Sequence, residues 1–474
     1  MRKNGRHCHL GQNRLKSKAP RIRNDFMPRL NFYAVLIAVA AYFLLSGISI
    51  QDRLLLSTLH QIERSALVEP SATELFEGAM AGMMQILANE YGDGYSTYIP
   101  PSRLTRYQDD LYNRYTGFGI WSRIFEQDEE KTLFVGYPFA DSPAYHAGLR
   151  SGDQIVKIDG TPIAGKTNRE IFSLLGQSRE AESQLSVLPF GQTEIQDFFV
   201  LREMNRLDSV EGDFRDAESR TFLLETHPRI GYIRITSFTE STANEFRSAL
   251  DKMMQSGAES FILDLRDNSG GDVRNSIMIA QMLIAPSPEN NVIVTVRPRN
   301  GPERKRTFGS TPPRCTLPMV VLINGETASS SEILAAALQD YQRATVVGTR
   351  SFGKGVIQSI MPLPFQLGML QLTNAEYLRP NGANIHRRVD AVDSDDWGVV
   401  PDIVVESSES QQLAVLLYRS LRSNVISPQR EAVLAMFRRM IIEEQNGQEG
   451  APFDLRGTAP YYDVQIDEAV RLLQ

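Results

Sequence analysis

Cysteine is nearly absent: the 474 residues contain two, Cys8 and Cys315. They lie far apart, so the sequence predicts no structural disulfide and no cysteine-based metal site. His7-Cys8-His9 reads as part of a solvated tail, because no further cluster of metal ligands follows it. Histidine is scarce as well. None of His7, His9, His60, His146, His227 and His386 stands in a serine or aspartate cluster that would make it a catalytic base. Lysine is the third shortage, with nine against 41 arginines, and Lys354 is the only lysine after residue 305. Internal repeats and low-complexity tracts are missing. The formal net charge of −7 gives no reason to expect a nucleic-acid partner. The length corresponds to roughly two to four domains.

Charge is distributed unevenly. The first thirty residues carry nine Lys or Arg and one acid, Asp25, and residues 32–50 then run nineteen positions without a charge. A helix rising about 1.5 Å per residue spans roughly 28 Å over that length, near the thickness of a bilayer's hydrocarbon core. A secretory signal core is shorter, about 7–15 residues, and ends in a small-residue cleavage site. Ser46-Gly47-Ile48-Ser49-Ile50 matches such a site poorly. The sequence therefore predicts a basic cytoplasmic tail (1–31) and a single uncleaved membrane anchor (32–50). The rest of the chain is expected on the periplasmic or extracytoplasmic side of the cell membrane. A cleaved signal, releasing a soluble secreted protein, and a buried core helix are the alternatives.

Residues 51–104 read as a helical region. Leu54, Leu55, Leu59, Ile62 and Leu67 recur near helical spacing, and a second run, 75–88, follows Ser71 or Thr73 as N-cap. Residues 105–205 carry short strand signals with glycine turns. From 206 to 410, strand-like runs (230–235, 260–265, 319–323, 344–347) alternate with helical ones (240–254, 275–283, 331–341), which argues for an α/β core. Residues 411–474 read as helical and polar.

Two groups of residues in the strand-rich segment belong together. Gly117-Phe118-Gly119-Ile120 would leave backbone N–H groups free as an anion-binding nest, with an open strand edge beginning at Ile120. Downstream runs Ala147-Gly148-Leu149-Arg150-Ser151-Gly152-Asp153-Gln154-Ile155-Val156-Lys157-Ile158-Asp159-Gly160. The pattern resembles a PDZ domain. The resemblance implies that Gly117, Phe118, Gly119 and Ile120 capture the carboxylate of a peptide whose last residues pair as an added strand.

Chemistry concentrates further on. Asn324-Gly325-Glu326-Thr327-Ala328-Ser329-Ser330-Ser331-Glu332 opens a predicted helix. A serine there is ordinarily an N-cap, but three in a row allow one to cap while Ser329 faces a cleft. The free N–H groups of the helix end suit a developing oxyanion. Next comes Ser351-Phe352-Gly353-Lys354-Gly355-Val356-Ile357-Gln358. Arginine stays protonated and cannot act as a base, whereas lysine can once its pKa falls toward 7, a shift costing on the order of 4–5 kcal/mol. Gln358 is placed to orient the amine. Phe261-Ile262-Leu263-Asp264-Leu265-Arg266-Asp267-Asn268-Ser269-Gly270-Gly271 supplies a buried strand, a structural Asp264–Arg266 ion pair and a glycine pair. Those glycines can aim N–H groups into a site.

In this order and behind a PDZ-like module, the three segments resemble the C-terminal processing (tail-specific) serine peptidases over roughly residues 75–405. Together with the patterns above, the resemblance implies a multi-domain chain: a mixed α/β peptidase core (206–410) and a PDZ-like β-rich domain (105–205), with the helical regions and the N-terminal transmembrane helix read from the sequence pattern around them. It implies Ser329 as nucleophile, Lys354 as general base, Gln358 beside it, and an oxyanion donor from Gly270 or Gly271, with the Ser330 N–H, read from the residues themselves, completing the hole. No cofactor or metal is implied, and the partners are protein or peptide substrates with free C-termini. Two departures stand out: Ser330 occupies a position where a small apolar residue is usual, and residues 385–397 look like an insertion. An inactive adaptor that only binds tails is the alternative; intact Ser329, Lys354 and Gln358 argue against it.

Overall fold

The computed structural model describes residues 49–474 except 128–129, 177–181, 216–218, 286–289, 393, 408, 426, 428 and 447–462. The chain divides into two units, 1–80 and 81–474. In the first, α1 (Ile50–Ser65) starts at a capping box: Ser49 Oγ accepts the Asp52 N–H while the Asp52 carboxylate accepts the Ser49 N–H. The helix α2 (Ala72–Tyr91) starts the same way, with Ser71 and Glu74 reciprocally bonded, so Ser71 is the cap. No described helix is long and apolar enough to cross a membrane. The expected anchor lies outside the described residues, apart from Ser49 and Ile50, which begin α1.

Asp93 shapes the exit from α2. Its carboxylate accepts the N–H groups of Tyr95 and Ser96 and the Ser96 hydroxyl, a turn that an aspartate makes with its own following backbone. It delivers β1 (Thr97–Ile99), which pairs antiparallel with residues 369–371 of the catalytic region. Residues grouped by sequence with the N-terminal helices thus belong to a sheet of the α/β core. A short helix, α3 (Leu104–Leu111), follows.

The peptide-binding module contains β2 (Arg114–Gly117), β3 (Ile120–Gln127), β4 (Glu130–Pro138), α4 (Pro143–Ala147), β5 (Gln154–Ile158), α5 (Asn168–Leu175), β6 (Glu182–Leu188), β7 (Gln196–Leu201) and β8 (Glu203–Arg206). Its sheet has the order β3-β4-β5-β6-β7, antiparallel throughout, with β3 at one edge. The β2–β8 ribbon ties the module's two ends together. Phe118, Leu133, Val135, Leu149, Ile155, Ile171 and Leu185 form its core, each such side chain contributing about 1.5–3 kcal/mol by burial.

The peptidase core comprises β9 (His227–Ile235), α6 (Thr242–Gln255), β10 (Ser260–Asp264), α7 (Val273–Leu283), β11 (Val292–Pro298), β12 (Arg304–Thr307), β13 (Met319–Ile323), α8 (Ser330–Asp340), β14 (Thr345–Gly348), β15 (Val356–Pro362), β16 (Met369–Leu378) and β17 (Ile403–Val404). Strands β9-β10-β13-β14-β17 run parallel in that order. Helices α6, α7 and α8 cover one face, with Phe246, Leu250, Ile279 and Leu334 packed on Ile233, Leu263 and Val321. Sheets buried on both faces read as unbroken apolar runs, and all five residues of β13 are buried. A second sheet has the order β1-β16-β11-β12, and β15 adds to β16.

Three C-terminal helices complete the structure: α9 (Glu409–Asn424), α10 (Arg430–Asn446) and α11 (Val464–Leu473). Although polar in composition, they bury apolar faces. Tyr418, Leu421, Val433 and Phe437 pack on Phe125 and Tyr137 of the β3–β4 hairpin. Ile466, Ala469 and Val470 of α11 cover the other face of the parallel sheet, against Tyr232, Ile262 and Val320. The charged residues serve a buried network. Arg422 binds Asp213 at 2.9 Å, and Arg266 binds Asp264 at 2.6 Å and Asp463 at 2.9 Å.

Candidate active site

Ser329 stands at the turn between β13 and α8 with φ 57° and ψ −116°, a backbone region that residues other than glycine rarely adopt. Such strain persists when the surroundings over-determine it, and here they do. The Ala328 N–H and the Ser331 hydroxyl both donate to Asn268 O, the Thr327 hydroxyl to Leu265 O, and the Ser330 hydroxyl to Gly271 O at 2.7 Å. The serine turn is therefore bonded along the Leu265–Gly271 loop.

Two buried side chains connect Ser329 to Lys354. The Glu332 carboxylate, shut off from solvent, accepts the N–H of Ser329 (2.8 Å), the Ser351 hydroxyl (2.6 Å), and the N–H groups of Gly353 (2.7 Å) and Lys354 (2.8 Å). Burial pushes its carboxyl up, while these four donors pull it down. The Tyr377 hydroxyl touches the carbonyls of Lys354 (2.5 Å) and Ser329 (3.1 Å). Both backbone polar groups of each residue are thus held by one acid and one tyrosine.

Burial lowers the Lys354 amine from its ordinary value, with the Glu332 charge opposing. Its Nζ lies 4.8 Å from the centroid of the Tyr95 ring. Among the described residues it makes no hydrogen bond to Ser329 or Gln358. The Gln358 amide donates instead to Thr373 Oγ1 (3.2 Å), which donates to Asp93. The structure thus brings Ser329 and Lys354 together and sends the Gln358 side chain to a different partner.

The two glycines differ. The Gly270 N–H already donates to Asn268 Oδ1 at 2.9 Å. Among the described residues the N–H groups of Gly271 and Ser330 have no partner. A Cβ on Gly271, at φ 133°, would meet Phe238 O at 2.0 Å, so only glycine fits. The 385–398 segment closes on itself, the Gly398 N–H donating to Ile385 O, and the Arg387 N–H donates to Gly353 O. His386 is half-buried beside Tyr95, their ring centroids 6.3 Å apart.

In the peptide-binding loop, the carbonyls of Gly117, Phe118 and Gly119 accept hydrogen bonds from Asn205, Ala144, and both Phe139 and Ser142. The N–H groups of Phe118 and Gly119 have no partner among the described residues, the arrangement of an anion nest. Gly119 has φ 77°, and a Cβ there would lie 2.3 Å from Ser142 Cβ. Ile120 begins the edge strand β3. Sequence reasoning missed Arg202. It is 4 % exposed, lies 4.3 Å from the Phe118 ring centroid, and donates to Ser183 Oγ and Leu174 O. Its Nε is unpaired, and no carboxylate of the described residues pairs with it directly. An arginine directly after the apolar run Phe198-Phe199-Val200-Leu201 was the available signal. Tyr95 and Tyr377 carried none.

A model of peptidase family S41 matches residues 229–405, and a PDZ domain model matches 134–182. The carboxy-terminal-processing protease of Bartonella bacilliformis is 31% identical over 419 residues, covering 85% of this chain and 84% of that protein. The chain belongs to peptidase family S41. Within this S41 peptidase, Ser329, Lys354 and the glycine pair all fall inside the matched core. Further relatives are the carboxyl-terminal-processing protease of Synechocystis and the carboxy-terminal processing protease CtpA of Bacillus subtilis. The first is 33% identical over 66% of this chain and 67% of that protein; the second is 29% identical over 75% and 69%. The chain is accordingly a serine-type C-terminal processing peptidase with a PDZ domain.

Proposed function

We propose that this S41 peptidase is a membrane-anchored endopeptidase that cuts proteins near their C-termini with a Ser329–Lys354 dyad. The shared clamp carries the reading: Glu332 and Tyr377 hold the backbones of a strained serine and the only lysine after residue 305. Neutral Lys354 takes the Ser329 proton as Oγ attacks the scissile carbonyl. The tetrahedral oxyanion forms against the N–H groups of Ser330 and Gly271. Lys354 then gives its proton to the leaving amine, and water hydrolyses the acyl-enzyme by the same route. For the first step Nζ must leave the Tyr95 ring and reach the serine hydroxyl.

The Phe118 and Gly119 N–H groups, with buried Arg202 behind them, favour a carboxylate. A substrate's terminal residues would add along β3. Residues 32–50 are assigned as the anchor by their length and lack of charge, with the catalytic region outside the cytoplasmic membrane.

The test uses the full-length chain in detergent with an unfolded protein substrate. Ser329→Ala, Lys354→Ala and Lys354→Arg abolish cleavage while leaving the circular dichroism spectrum unchanged; activity surviving in Lys354→Arg refutes the dyad. Release of the protein from membranes by a high-salt wash refutes the anchor.

A further inference from the structure

Residues 355–375 run 21 positions without a charged side chain. They form the β15–β16 hairpin, which leaves the catalytic loop directly after Lys354. Strand β16 is paired on both sides, with β15 along 369–376, with β1 at 369–371 and with β11 at 375–378. Strand β15 is paired on one side only: among the described residues no strand lies against its outer edge.

Ladder alternation decides which amides face outward. At the hairpin end the Leu363 N–H donates to Gly368 O at 3.0 Å. The Thr373 N–H, opposite Gln358, donates to Ser96 Oγ on the far side of β16. Gln358–Thr373 and Ile360–Gln371 are therefore the pairs that exchange no hydrogen bonds. The N–H and C=O groups of Gln358 and Ile360 point away from β16. Pro362, next in that series, has no N–H.

Exposed edges are usually protected by charge, by bulges or by cover, because they template further pairing. This edge carries no charge. The bulge between Ile357 and Gln358 and the proline at 362 bound a short open window. Around it Ile360 is 42 % exposed and Met361 37 %, and Phe365 at the tip is 93 % exposed. Phe365 and the following Gln366 both hold φ values near 60°, so the tip presents its aromatic ring at a cost in backbone strain.

We infer that the outer edge of β15 binds substrate: an extended, apolar stretch of the substrate polypeptide adds to it as a strand and so passes Lys354. The inference rests on the peptidase reading above and names the part of the substrate this site holds. Main-chain pairing gives affinity with little demand on sequence, and Ile360, Met361 and Phe365 select apolar side chains. Continuity with the catalytic loop selects the occupant, since a strand laid here runs directly toward the dyad. At about 3.3 Å per residue, Ile360 lies roughly 20 Å along the chain from Lys354, which places the paired segment about four to six residues from the scissile bond.

The decisive variant is Ile360→Pro. It removes one outward N–H and no bond to β16, at an edge position where proline is tolerated. Binding of a fluorescently labelled, uncharged peptide is measured by anisotropy with the full-length chain carrying Ser329→Ala. The peptide's C-terminus is amidated to silence the PDZ loop. Ile360→Pro weakens binding at least about tenfold, N-methylating alternate peptide amides does the same to the parent, and Ile360→Val, which keeps the N–H, binds like the parent. Unchanged binding in both the proline variant and the N-methylated peptide overturns the inference. So does sedimentation showing that Ile360→Pro only dissociates an oligomer, which would give the edge to a second copy of the chain. Should the peptide bind as expected while the parent enzyme never cleaves, the dyad reading fails and the binding edge stands.

Discussion

The Lys354 ammonium lies over the face of the Tyr95 ring, 4.8 Å from its centroid. An aromatic face favours the charged amine, by about 0.5–2 kcal/mol, while burial favours the neutral one. The proposed base is thus held between two opposed preferences, with the ring as its resting place.

A pH profile separates them. On the proposed dyad Lys354 works deprotonated; with its pKa lowered by burial, kcat/KM then rises with pH, with the rising limb below lysine's ordinary 10.5. Tyr95→Leu removes the support for the ammonium, so the limb moves to lower pH by about one unit or less. Tyr95→Phe keeps the ring face and the parent profile. A limb moving to higher pH in Tyr95→Leu would mean that Tyr95 acts mainly by burying the lysine.

Ser330→Ala and Gly271→Ala divide the oxyanion region. The Ser330 hydroxyl positions Gly271 O but touches no reacting atom, so Ser330→Ala lowers kcat by about tenfold or less with KM unchanged. Gly271→Ala forces a Cβ against Phe238 O and lowers kcat by a factor of about 100 or more. Steady-state kinetics on an unfolded protein substrate reads both, and similar losses would refute the assignment.

Arg202→Gln leaves the Phe118 and Gly119 amides in place and removes the cation behind them. Cleavage of a protein with a free C-terminus slows about three- to tenfold. Cleavage of the same protein with an amidated C-terminus, already slow, does not change further. Equal slowing of both substrates would make Arg202 a packing residue only.

Asp463→Asn tests the buried ionic network. Burial opposes ionisation of Asp463, but Arg266 and Arg419 outweigh it and hold the carboxyl below its ordinary value of 3.8. Breaking one side of such a pair costs about 3–5 kcal/mol. The sign follows from the lowered pKa. The stabilisation is complete above the ordinary carboxylate range and is lost as pH falls through the folded-state value. Thermal melts of parent and variant therefore differ most at neutral pH and converge in acid; a difference that grows in acid would refute the pairing.

Much of this was legible in sequence where chemistry is local. The apolar run 319–323 coincides with β13 because a strand covered on both faces needs no alternation. Ser71 could be read as a cap because its partner is three residues away. The Asp264–Arg266 pair was visible for the same reason. Asp463, the second acid on Arg266, was not, because 197 residues separate them. Glu332 was recognisable only as a landmark beside Ser329; its four donors come from two loops that meet only in the fold. Gln358 was expected to orient the lysine, but a strand register that no local pattern encodes turns its amide toward Thr373. Residues 93–99 gave three short strand residues, too few to show a period, so their place in the catalytic sheet stayed hidden.

The helix α11 covers one face of the parallel sheet, and its N-cap Asp463 holds Arg266, two residues from Asn268, on which the serine turn rests. During synthesis, that helix leaves the ribosome more than a hundred residues after Ser329 and Lys354. A nascent chain that stops before residue 463 has Ser329 and Lys354 but an uncovered sheet and an arginine short of one carboxylate. The loop beneath the serine turn therefore gains its last ionic support only when α11 has been made.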